Sequence, residues 1–575
     1  MKILGLNGLG ISPSACIVED GNLLVFAEEE RFNRVKDLSG VLPKSAVKFC
    51  LNFSKIDLSE IDYIAFSWDC NLYRTAMPIF LIHQFFKRGS FLNGGSNKWR
   101  FIEEIIKYMP SNVEDKISGM FKEVGFTHKV PPIKFIPHHL SHAASTFFVS
   151  GFDKAIVLVI DGSGEKSCTS IYKGDGPNIK LLKSIKMPDS LGWFYQTITE
   201  FLGFKPNSHE GKMMALAAYG KFNESISNKL KEVIQINPKN YYYFDATYSY
   251  FGCRNNGLVY SDKMIQLFGK PRKSNEPITD FHKNLAFNSQ KMLEDIVLNI
   301  MNEEFKKQDF NGNVCLAGGV TLNCKMNGLI AQHPLVSNIY SPPFASDAGS
   351  ALGAALFLSS EKGIKKSNPI NHSYWGSEYT NEQIEEVLVN YRARYEKHTR
   401  IDEVGASLLQ DNKVIGWFQG RMEAGPRALG ARSILGNPLT ASMRDTINIK
   451  VKSREVWRPF ASSILYEDRS IYFEKPIGSD FMTVAQLVKE DARKNIIAAI
   501  HIDGTTRPQL VNKSVNEKYW RLISEFKKLS GVGAVLNTSF NNNEEPIVEN
   551  PEQALRTFYS SGLDYLLIGD FLVKK

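Results

Sequence analysis

The sequence predicts an α/β protein made of two domains. Its 575 residues exceed what a single hydrophobic core usually serves. Short apolar segments joined by glycine-bearing turns occur twice in the first part of the chain, a pattern typical of paired strands. A polar stretch over 361–373 then precedes a final region in which strand-like and helix-like segments alternate.

The composition is that of an ordinary globular protein, with 43% hydrophobic and 23% charged residues. The net charge of +8 leaves nucleotide phosphates, nucleic acids and membrane surfaces open as partners. The seven cysteines are scattered and form no CxxC pair, so neither a disulfide framework nor a zinc knuckle is indicated. No run resembles a secretion signal or is apolar for long enough to span a bilayer, which predicts a cytoplasmic protein without a membrane partner.

Two triplets of predicted strands repeat one pattern within the first domain. In each triplet, a loop after the first strand can aim backbone N–H groups at a phosphate. The repetition indicates a duplicated fold with one phosphate-facing loop in each half, although two unrelated hairpins in a mixed sheet would look the same. The predicted strands cover 2–6, 14–18 and 22–26 in the first triplet, and 154–161, 167–173 and 179–186 in the second.

The segments that follow determine the domain boundary. Helical periodicity is clearest over Asn284–Lys306, and a helix of small residues is predicted over Ala348–Ser359. The polar stretch after that helix is the best linker candidate, which predicts domains over 1–365 and 373–575.

Two histidines spaced for one helix face are the first candidate metal ligands. His138 and His142 stand at i and i+4, and a helix from Leu140 onward would point both imidazoles to the same side. His139 would point elsewhere. The alternative is a helix N-terminus with incidental histidines.

Two carboxylates could complete such a site. Asp161 ends an apolar strand and precedes a Gly-Ser-Gly-Glu loop, where the backbone can approach a metal or phosphate closely. Asp347 begins the small-residue helix. A plain turn at Asp161 and a simple helix cap at Asp347 remain the alternatives. Two imidazoles with two carboxylates favour iron, manganese or zinc over magnesium, because magnesium rarely takes imidazole.

A double glycine between a predicted strand and a helix is a candidate nucleotide contact. The segment Leu316-Ala-Gly318-Gly319-Val-Thr-Leu-Asn323 allows a flat ring or a ribose to lie against the backbone, and the helix N-terminus favours phosphate. The segment is neither a P-loop nor a GxGxxG motif, so a P-loop kinase is not indicated.

A dense basic block lies in the second domain. Residues 420–460 contain eight basic and three acidic side chains, a local charge of +5 within the total of +8. Its arginines stand among glycine and proline, as in Gly425-Pro-Arg427, which suits contacts with phosphate or carboxylate groups. An RNA-binding patch is the alternative, but the block lacks the interleaved aromatic residues of a single-strand platform. Arg507 and the strand end Leu536-Asn-Thr-Ser539 could contact a ligand as well.

In their order along the chain, these motifs resemble one family. Over 1–575 the sequence is similar to the nodulation-type and antibiotic-tailoring O-carbamoyltransferases, the group that includes the tobramycin carbamoyltransferase. The motifs that support the resemblance are His138-His-Leu-Ser-His142-Ala-Ala-Ser, Asp161-Gly-Ser-Gly-Glu165, Leu316-Ala-Gly-Gly-Val-Thr-Leu-Asn-Cys324, Ser346-Asp347-Ala-Gly-Ser-Ala-Leu-Gly-Ala, Gly420-Arg-Met-Glu-Ala-Gly-Pro-Arg427-Ala-Leu-Gly-Ala-Arg-Ser433, Lys452-Ser-Arg-Glu-Val-Trp-Arg458-Pro-Phe-Ala461 and Leu536-Asn-Thr-Ser-Phe-Asn541.

The resemblance implies a fold for each domain. The first should be a duplicated actin-like and sugar-kinase-like (ASKHA) domain, like the actin-like half of the tRNA threonylcarbamoyl-transfer machinery. The second should be a YrdC-like α/β domain, similar to the partner that makes the acyl-adenylate in that pathway. A homodimer would suit the family.

The resemblance also implies a reaction in two steps. Carbamoyl phosphate is cleaved in the second domain, and the carbamate reacts with ATP, accompanied by Mg²⁺, to give carbamoyl-adenylate and pyrophosphate. In the first domain, the adenylate then meets the hydroxyl of a small-molecule acceptor beside a divalent metal, expected to be Fe(II).

Site residues follow from the motifs, position by position. The metal ligands would be His138, His142, Asp161 and Asp347, and the adenylate would contact Gly162, Gly318, Gly319 and Asn323. Carbamoyl phosphate and ATP would contact Arg427, Lys452, Arg458, Arg507 and Ser539, of which Arg427, Lys452 and Arg458 are expected to be catalytic. His139 is not needed as a ligand and is predicted as the base that accepts the acceptor's proton.

The sequence departs from the family at one place and leaves other activities open. Pro13 stands in the first loop where an acidic residue is usual, which removes a carboxylate expected there. A tRNA-modifying enzyme of the threonylcarbamoyl type is one alternative, and a relative that transfers another acyl group is a second. The carbamoyltransferase-type motifs over 420–433 and 452–461 argue against the first, so no nucleic-acid partner is expected. The divergent stretches over 70–130 and 220–280 are expected to recognise the unnamed acceptor.

Overall fold

The structure is a computed structural model that describes residues 1–88, 103–126, 128–254, 257–307, 310–364, 367–478 and 480–575. Parts of the two predicted acceptor regions, and Lys365 and Lys366 of the predicted linker, lie outside these residues. The chain divides into two compact units. The first comprises Met1–Leu24 and Ser39–Pro369, and the second comprises Val25–Leu38 and Ile370–Lys575.

The segment Val25–Leu38 makes this division differ from the continuous domain predicted over 1–365. It contains helix α1 (Glu30–Asn33) and packs within the second unit. Arg31, 4% exposed, donates hydrogen bonds to Glu28 and to the carbonyl oxygen of Gly425. No change of composition marks this segment, because the contacts that hold it come from residues about 400 positions later, and such long-range pairing leaves no local signal in a sequence.

The first unit contains two five-stranded sheets of the same topology, except that the last four residues of strand β3, Val25–Glu28, are counted with the second unit. In each, the first strand pairs antiparallel with the second and parallel with a later strand, giving the orders β3-β2-β1-β4-β5 and β8-β7-β6-β11-β12. The predicted duplication is therefore confirmed. The strands are β1 Lys2–Asn7, β2 Ser14–Glu19, β3 Asn22–Glu28, β4 Tyr63–Phe66, β5 Ile133–Phe135, β6 Lys154–Ile160, β7 Ser167–Asp175, β8 Asn178–Lys186, β9 Ile234–Asn237, β10 Tyr241–Phe244, β11 Asn313–Ala317 and β12 Asn338–Tyr340, with β9 and β10 forming a separate pair.

Helices cover these sheets, and the long predicted helix is present as α10. The small-residue helix begins slightly later than predicted, because Asp347–Gly349 forms a 3₁₀ turn before it. The helices are α2 Lys44–Ser54, α3 Cys70–Arg88, α4 Pro110–Glu123, α5 His138–Phe147, α6 Leu191–Phe201, α7 Glu210–Ala217, α8 Glu224–Val233, α9 Asp262–Phe268, α10 Asp280–Lys307, α11 Cys324–Gln332 and α12 Ser350–Glu361.

Helices α5 and α12 touch through a glycine, and this contact is a testable feature of the fold. A Cβ atom on Gly353 would lie 1.7 Å from the carbonyl oxygen of Ser141, so Gly353→Ala must push the two helices apart. We expect this variant to lose about 1–3 kcal/mol of stability, measured by calorimetric unfolding. The control is Gly119→Ala on α4, where nothing lies within 4 Å of the added atom. There we expect a gain of about 0.4–1 kcal/mol, and equal effects of the two variants would contradict the packing.

The second unit is built on one mixed sheet of eight strands in the order β13-β22-β21-β14-β15-β20-β16-β19. Trp417 is fully buried in its core, and its indole N–H donates to the carbonyl oxygen of Gly430. The strands are β13 Arg394–Lys397, β14 Ile415–Phe418, β15 Arg432–Gly436, β16 Ala461–Leu465, β17 Gln486–Leu487, β18 Thr505–Thr506, β19 Pro508–Val511, β20 Ala534–Ser539, β21 Tyr565–Ile568 and β22 Phe571–Lys574, and the helices are α13 Asn381–Asn390, α14 Ile401–Gln410, α15 Met443–Thr446, α16 Arg469–Tyr472, α17 Glu517–Ser530 and α18 Pro551–Ser560.

These elements confirm the predicted α/β class. Both units combine sheets with helices, and the sheets mix parallel and antiparallel pairs. Among the described residues, none of the helices is long and apolar enough to cross a membrane.

Candidate metal centre and cationic site

The four predicted metal ligands lie together in the first unit. His138 and His142 are on α5, Asp161 follows β6, and Asp347 begins the 3₁₀ turn before α12. One ligand atom from each residue lies within 4.8 Å of all the others. The shortest approaches join His138 Nε2 to Asp161 Oδ2 at 3.3 Å and His142 Nε2 to Asp347 Oδ1 at 3.5 Å.

Asp161 is oriented by the double glycine that the sequence marks. Gly318 has a φ of +96°, and a Cβ atom on it would lie 2.3 Å from the carbonyl oxygen of Ile160. Only glycine lets the end of β11 come this close to the end of β6. The next residue, Gly319, donates its backbone N–H to Asp161 Oδ1 at 3.0 Å, which leaves Oδ2 directed toward the histidines.

The histidine side chains fit a bound cation. The Nδ1 of His138 is 3.1 Å from the carbonyl oxygen of Ser67, which can only accept, so Nδ1 holds a hydrogen and Nε2 is left to face the carboxylates. His142 is fully buried, and neither of its ring nitrogens has a hydrogen-bond partner within the described part of the chain. A buried imidazole that approaches a carboxylate without making a hydrogen bond is costly by itself, and a divalent metal would satisfy it.

The electrostatics agree with this fit. Burial acts to lower the pKa of His138, but the hydrogen bond with Asp161 and the charge of Asp347 raise that pKa to about 9. Burial acts to raise the pKa of Asp161, yet the hydrogen bond and charges of the histidines hold it below the ordinary value. His138 therefore keeps a proton at neutral pH, which places a positive charge beside the carboxylates. A bound metal ion would take the place of that proton.

His139 lies outside the ligand set. Its Nδ1 is 2.8 Å from the hydroxyl oxygen of Ser170, and its Nε2 is buried with no partner among the described residues. Burial and the charge of His138 lower the pKa of His139 to about 3. The imidazole is thus neutral at neutral pH, as a proton acceptor must be, but its low proton affinity makes it a weak base.

The other predicted nucleotide contacts hold the fold around the metal centre. Asn323 caps α11 by accepting the N–H of Met326, and its amide nitrogen donates to Gln290. Gly162 follows Asp161, and a Cβ atom on it would lie 3.8 Å from the indole of Trp193. That distance is an ordinary van der Waals contact, so the position next to Asp161 would admit a methyl group.

In the second unit, Lys452 and Ser539 are brought together. The Nζ of Lys452 donates to the carbonyl oxygens of Ser539 at 2.5 Å and Asn541 at 2.9 Å, and to Asn541 Oδ1 at 2.5 Å. These bonds use the three donors of an ammonium group, so Lys452 is placed to hold the strand end that contains Ser539. The lysine is 3% exposed.

A group of basic side chains surrounds Lys452. Burial, together with the charges of Arg454 and Lys36, holds the pKa of Lys452 well below its ordinary value. Burial and the charges of Arg458 and Arg507 lower the pKa of Arg454 to about 9. Such crowding of like charges is unfavourable alone and favours a polyanion. We call Lys36, Lys452, Arg454, Arg458 and Arg507 the cationic cluster.

Lys36 of the cationic cluster was missed by the sequence reasoning. It belongs to the segment that joins the second unit, and burial with the charge of Arg458 lowers its pKa. The approach of Lys36 to a basic block about 400 residues later depends on the fold, so it leaves no periodic or local pattern in the sequence.

The basic block divides into structural and site residues. Arg432 is fully buried, stacks on the ring of Phe418, and donates to backbone carbonyl oxygens including that of Ser377. Arg421 likewise donates to the carbonyl oxygens of Trp375 and Gly376. Arg427 lies half-buried in the loop between β14 and β15.

Comparison with known proteins gives matches over most of the chain. The model for the carbamoyltransferase N-terminus matches residues 2–356, and that for the carbamoyltransferase C-terminus matches residues 406–575. An uncharacterized protein of Synechocystis sp. is 36% identical over 100% of this chain and 96% of its own length. Nodulation protein NolNO of Sinorhizobium fredii is 35% identical over 98% of this chain and 78% of its own. The 3'-hydroxymethylcephem-O-carbamoyltransferase of Amycolatopsis lactamdurans is 32% identical over 44% of this chain and 47% of its own.

Proposed function

The chain belongs to the carbamoyltransferase family, and we propose that it moves the carbamoyl group of carbamoyl phosphate, through carbamoyl-adenylate, to a hydroxyl of a small-molecule acceptor. The observation that most supports this is the presence of two chemically different sites, one in each unit. The cationic cluster suits polyanionic substrates, and the donor set of two histidines and two aspartates suits a divalent metal. The matched O-carbamoyltransferase of Amycolatopsis supports oxygen as the atom that receives the group.

We assign the first step to the second unit. ATP with Mg²⁺ and carbamoyl phosphate both bear several negative charges, so cations must hold them against their mutual repulsion. Arg458 and Arg507 of the cationic cluster would contact phosphate groups, with Arg427 as a further contact. Lys452 would keep Ser539 at the end of β20 in place. Water first cleaves carbamoyl phosphate into carbamate and inorganic phosphate. A carbamate oxygen then attacks the α-phosphorus of ATP, the bond to the β-phosphate breaks, pyrophosphate leaves, and carbamoyl-adenylate is formed.

We assign the second step to the first unit. The acceptor hydroxyl attacks the carbamoyl carbon of the adenylate, the bond to the phosphate oxygen breaks, and AMP leaves with the electron pair. His138, His142, Asp161 and Asp347 would hold a divalent metal, for which we propose Fe(II), and this ion would supply Lewis-acid polarisation of the carbamoyl oxygen. His139 stays the candidate for receiving the hydroxyl proton.

Further properties belong to the same proposal. The first unit would have the actin-like and sugar-kinase-like fold, which its duplicated sheet supports, and the second unit would be YrdC-like. The loop before β2 contains Pro13, which cannot supply a carboxylate to either site. We also propose a cytoplasmic, homodimeric enzyme whose acceptor is a natural product or a sugar.

Pyrophosphate release tests the proposal without knowledge of the acceptor. Purified protein with Mg²⁺-ATP should release pyrophosphate only when carbamoyl phosphate is present, and Arg458→Ala should lower that release about 100-fold or more. Arg521→Ala is the control, because Arg521 is an exposed residue of α17 that pairs with Glu517. Pyrophosphate release by the wild type that does not depend on carbamoyl phosphate would contradict carbamoyl phosphate as the donor. An equal loss of release in Arg458→Ala and Arg521→Ala would contradict the cationic cluster as the site of this step.

A further inference from the structure

One buried carboxylate links the metal centre to the loop beside it. Glu165, 4% exposed, closes the Asp161-Gly-Ser-Gly-Glu165 motif, and only Asp161 of that motif is a metal ligand. Its Oε1 accepts the backbone N–H of His138 at 2.9 Å and that of Asp69 at 2.7 Å. We propose that Glu165 is a positioning residue of the metal centre, an inference that rests on the metal site of the proposed function.

The bond to His138 fixes the start of helix α5. His138 is the first residue of that helix, and the residue before it, Pro137, has no side chain able to cap the helix. The first backbone N–H groups of a helix lack partners within the helix, and a carboxylate there also interacts favourably with the helix dipole. Glu165 supplies that acceptor, so the ligand nitrogen of His138 is held from its backbone as well as from Ser67.

The bond to Asp69 fixes a second element at the same oxygen. Asp69 caps α3, since its side chain accepts the N–H groups of Asn71 and Leu72. The residue before it, Trp68, lies with its ring centroid 4.9 Å from that of His138. One oxygen of Glu165 therefore holds both the helix that presents two ligands and the loop whose tryptophan packs on one of them.

The chemistry of the side chain predicts how variants rank. Glu165→Ala removes the acceptor of two N–H groups in a buried place, and both helix starts can then move. Glu165→Gln keeps an oxygen of the same reach, and one amide oxygen has lone pairs for both bonds. Glu165→Asp keeps the charge but is one methylene shorter, so it cannot reach both groups without a shift. A role through charge alone would instead rank the aspartate variant above the glutamine variant.

The test is the affinity of the full chain for Zn²⁺, measured by competition with a chromophoric chelator. We expect Glu165→Ala to weaken binding about 10–100-fold, Glu165→Asp to weaken it about 10-fold, and Glu165→Gln to stay within about threefold of the wild type. Pyrophosphate release by the second unit should be unchanged in all three. The control is Glu304→Ala, which removes an equally buried carboxylate, bonded to the hydroxyl of Tyr241, from the same unit. It should lower the melting temperature without changing the Zn²⁺ affinity.

Each other outcome overturns the inference. A folded Glu165→Ala variant that binds Zn²⁺ like the wild type would contradict the positioning role. If Glu165→Ala does not fold, wild-type Zn²⁺ affinity in Glu165→Asp would contradict that role instead. Equal weakening in Glu304→Ala would show a general loss of stability. If the wild type binds no Zn²⁺, Mn²⁺ or Fe²⁺, both this inference and the proposed second step are wrong. The proposed first step is tested independently, by the pyrophosphate-release measurement.

Discussion

Replacing Lys452 with methionine is expected to lower pyrophosphate release in the presence of carbamoyl phosphate by about 100–1,000-fold. Methionine is unbranched like lysine and only one atom shorter, but it has no ammonium, so the oxygens of Ser539 and Asn541 lose the donor they share. The end of β20 is then free to move, and the cationic cluster loses a residue that interacts with Arg454, Lys36 and Arg458. Because the affected groups all lie in the second unit, the Zn²⁺ affinity of the first unit should stay as in the wild type.

Lys450→Met is the matched control for this prediction. Lys450 is exposed, lies in the helical segment Ile447–Val451 that ends just before Lys452, and accepts the N–H of Gly562 with its backbone oxygen. We expect its pyrophosphate release to be within about twofold of the wild type, since surface substitutions change little. Unchanged release in Lys452→Met, with the variant folded, would contradict the assigned role.

The grouping of the four candidate metal ligands could be predicted from sequence because its signals are local. The spacing of His138 and His142 fits one helix face, and Asp161 stands where an apolar strand stops, so each ligand is marked by the period of its own element. Asp347 has a weaker sequence signal, since an aspartate before a helix is usually a cap. In the structure Ser346 occupies the N-cap position of the turn, and the carboxylate of Asp347 faces the two histidines.

Other features depend on contacts between distant residues and could not be predicted. The sequence suggested Lys452 as a phosphate ligand, but whether its ammonium meets a phosphate or the oxygens of residues 539–541 depends on how two strands pair. In the same way, nothing near Val25–Leu38 indicates that this segment joins the second unit. The duplicated topology was predictable because strand length and turn residues repeat, whereas the order of the eight-stranded sheet requires pairings that alternation alone does not specify.

Replacing His142 with leucine is expected to abolish metal binding without destabilising the metal-free protein. An ordinary buried histidine makes hydrogen bonds, and removing it costs stability. Neither ring nitrogen of His142 makes a hydrogen bond in the described residues, although Nε2 approaches Asp347 Oδ1 at 3.5 Å. An apolar side chain of similar volume therefore removes two polar atoms without breaking a hydrogen bond. We therefore expect the metal-free melting temperature to stay equal or rise, a sign that this position is kept for a ligand and not for the fold.

The same variant separates the two proposed steps. With one of four ligands gone, bound Zn²⁺ measured by mass spectrometry should fall from about one ion per chain to less than about a tenth. Pyrophosphate release should continue, because the cationic cluster lies in the other unit. His128→Leu is the control, since His128 is exposed and lies near Asp57, away from the ligand set. A His142→Leu variant that retains its metal, or that loses several kcal/mol of metal-free stability, would show that His142 supports the fold, and the assignment of the metal centre would then be wrong.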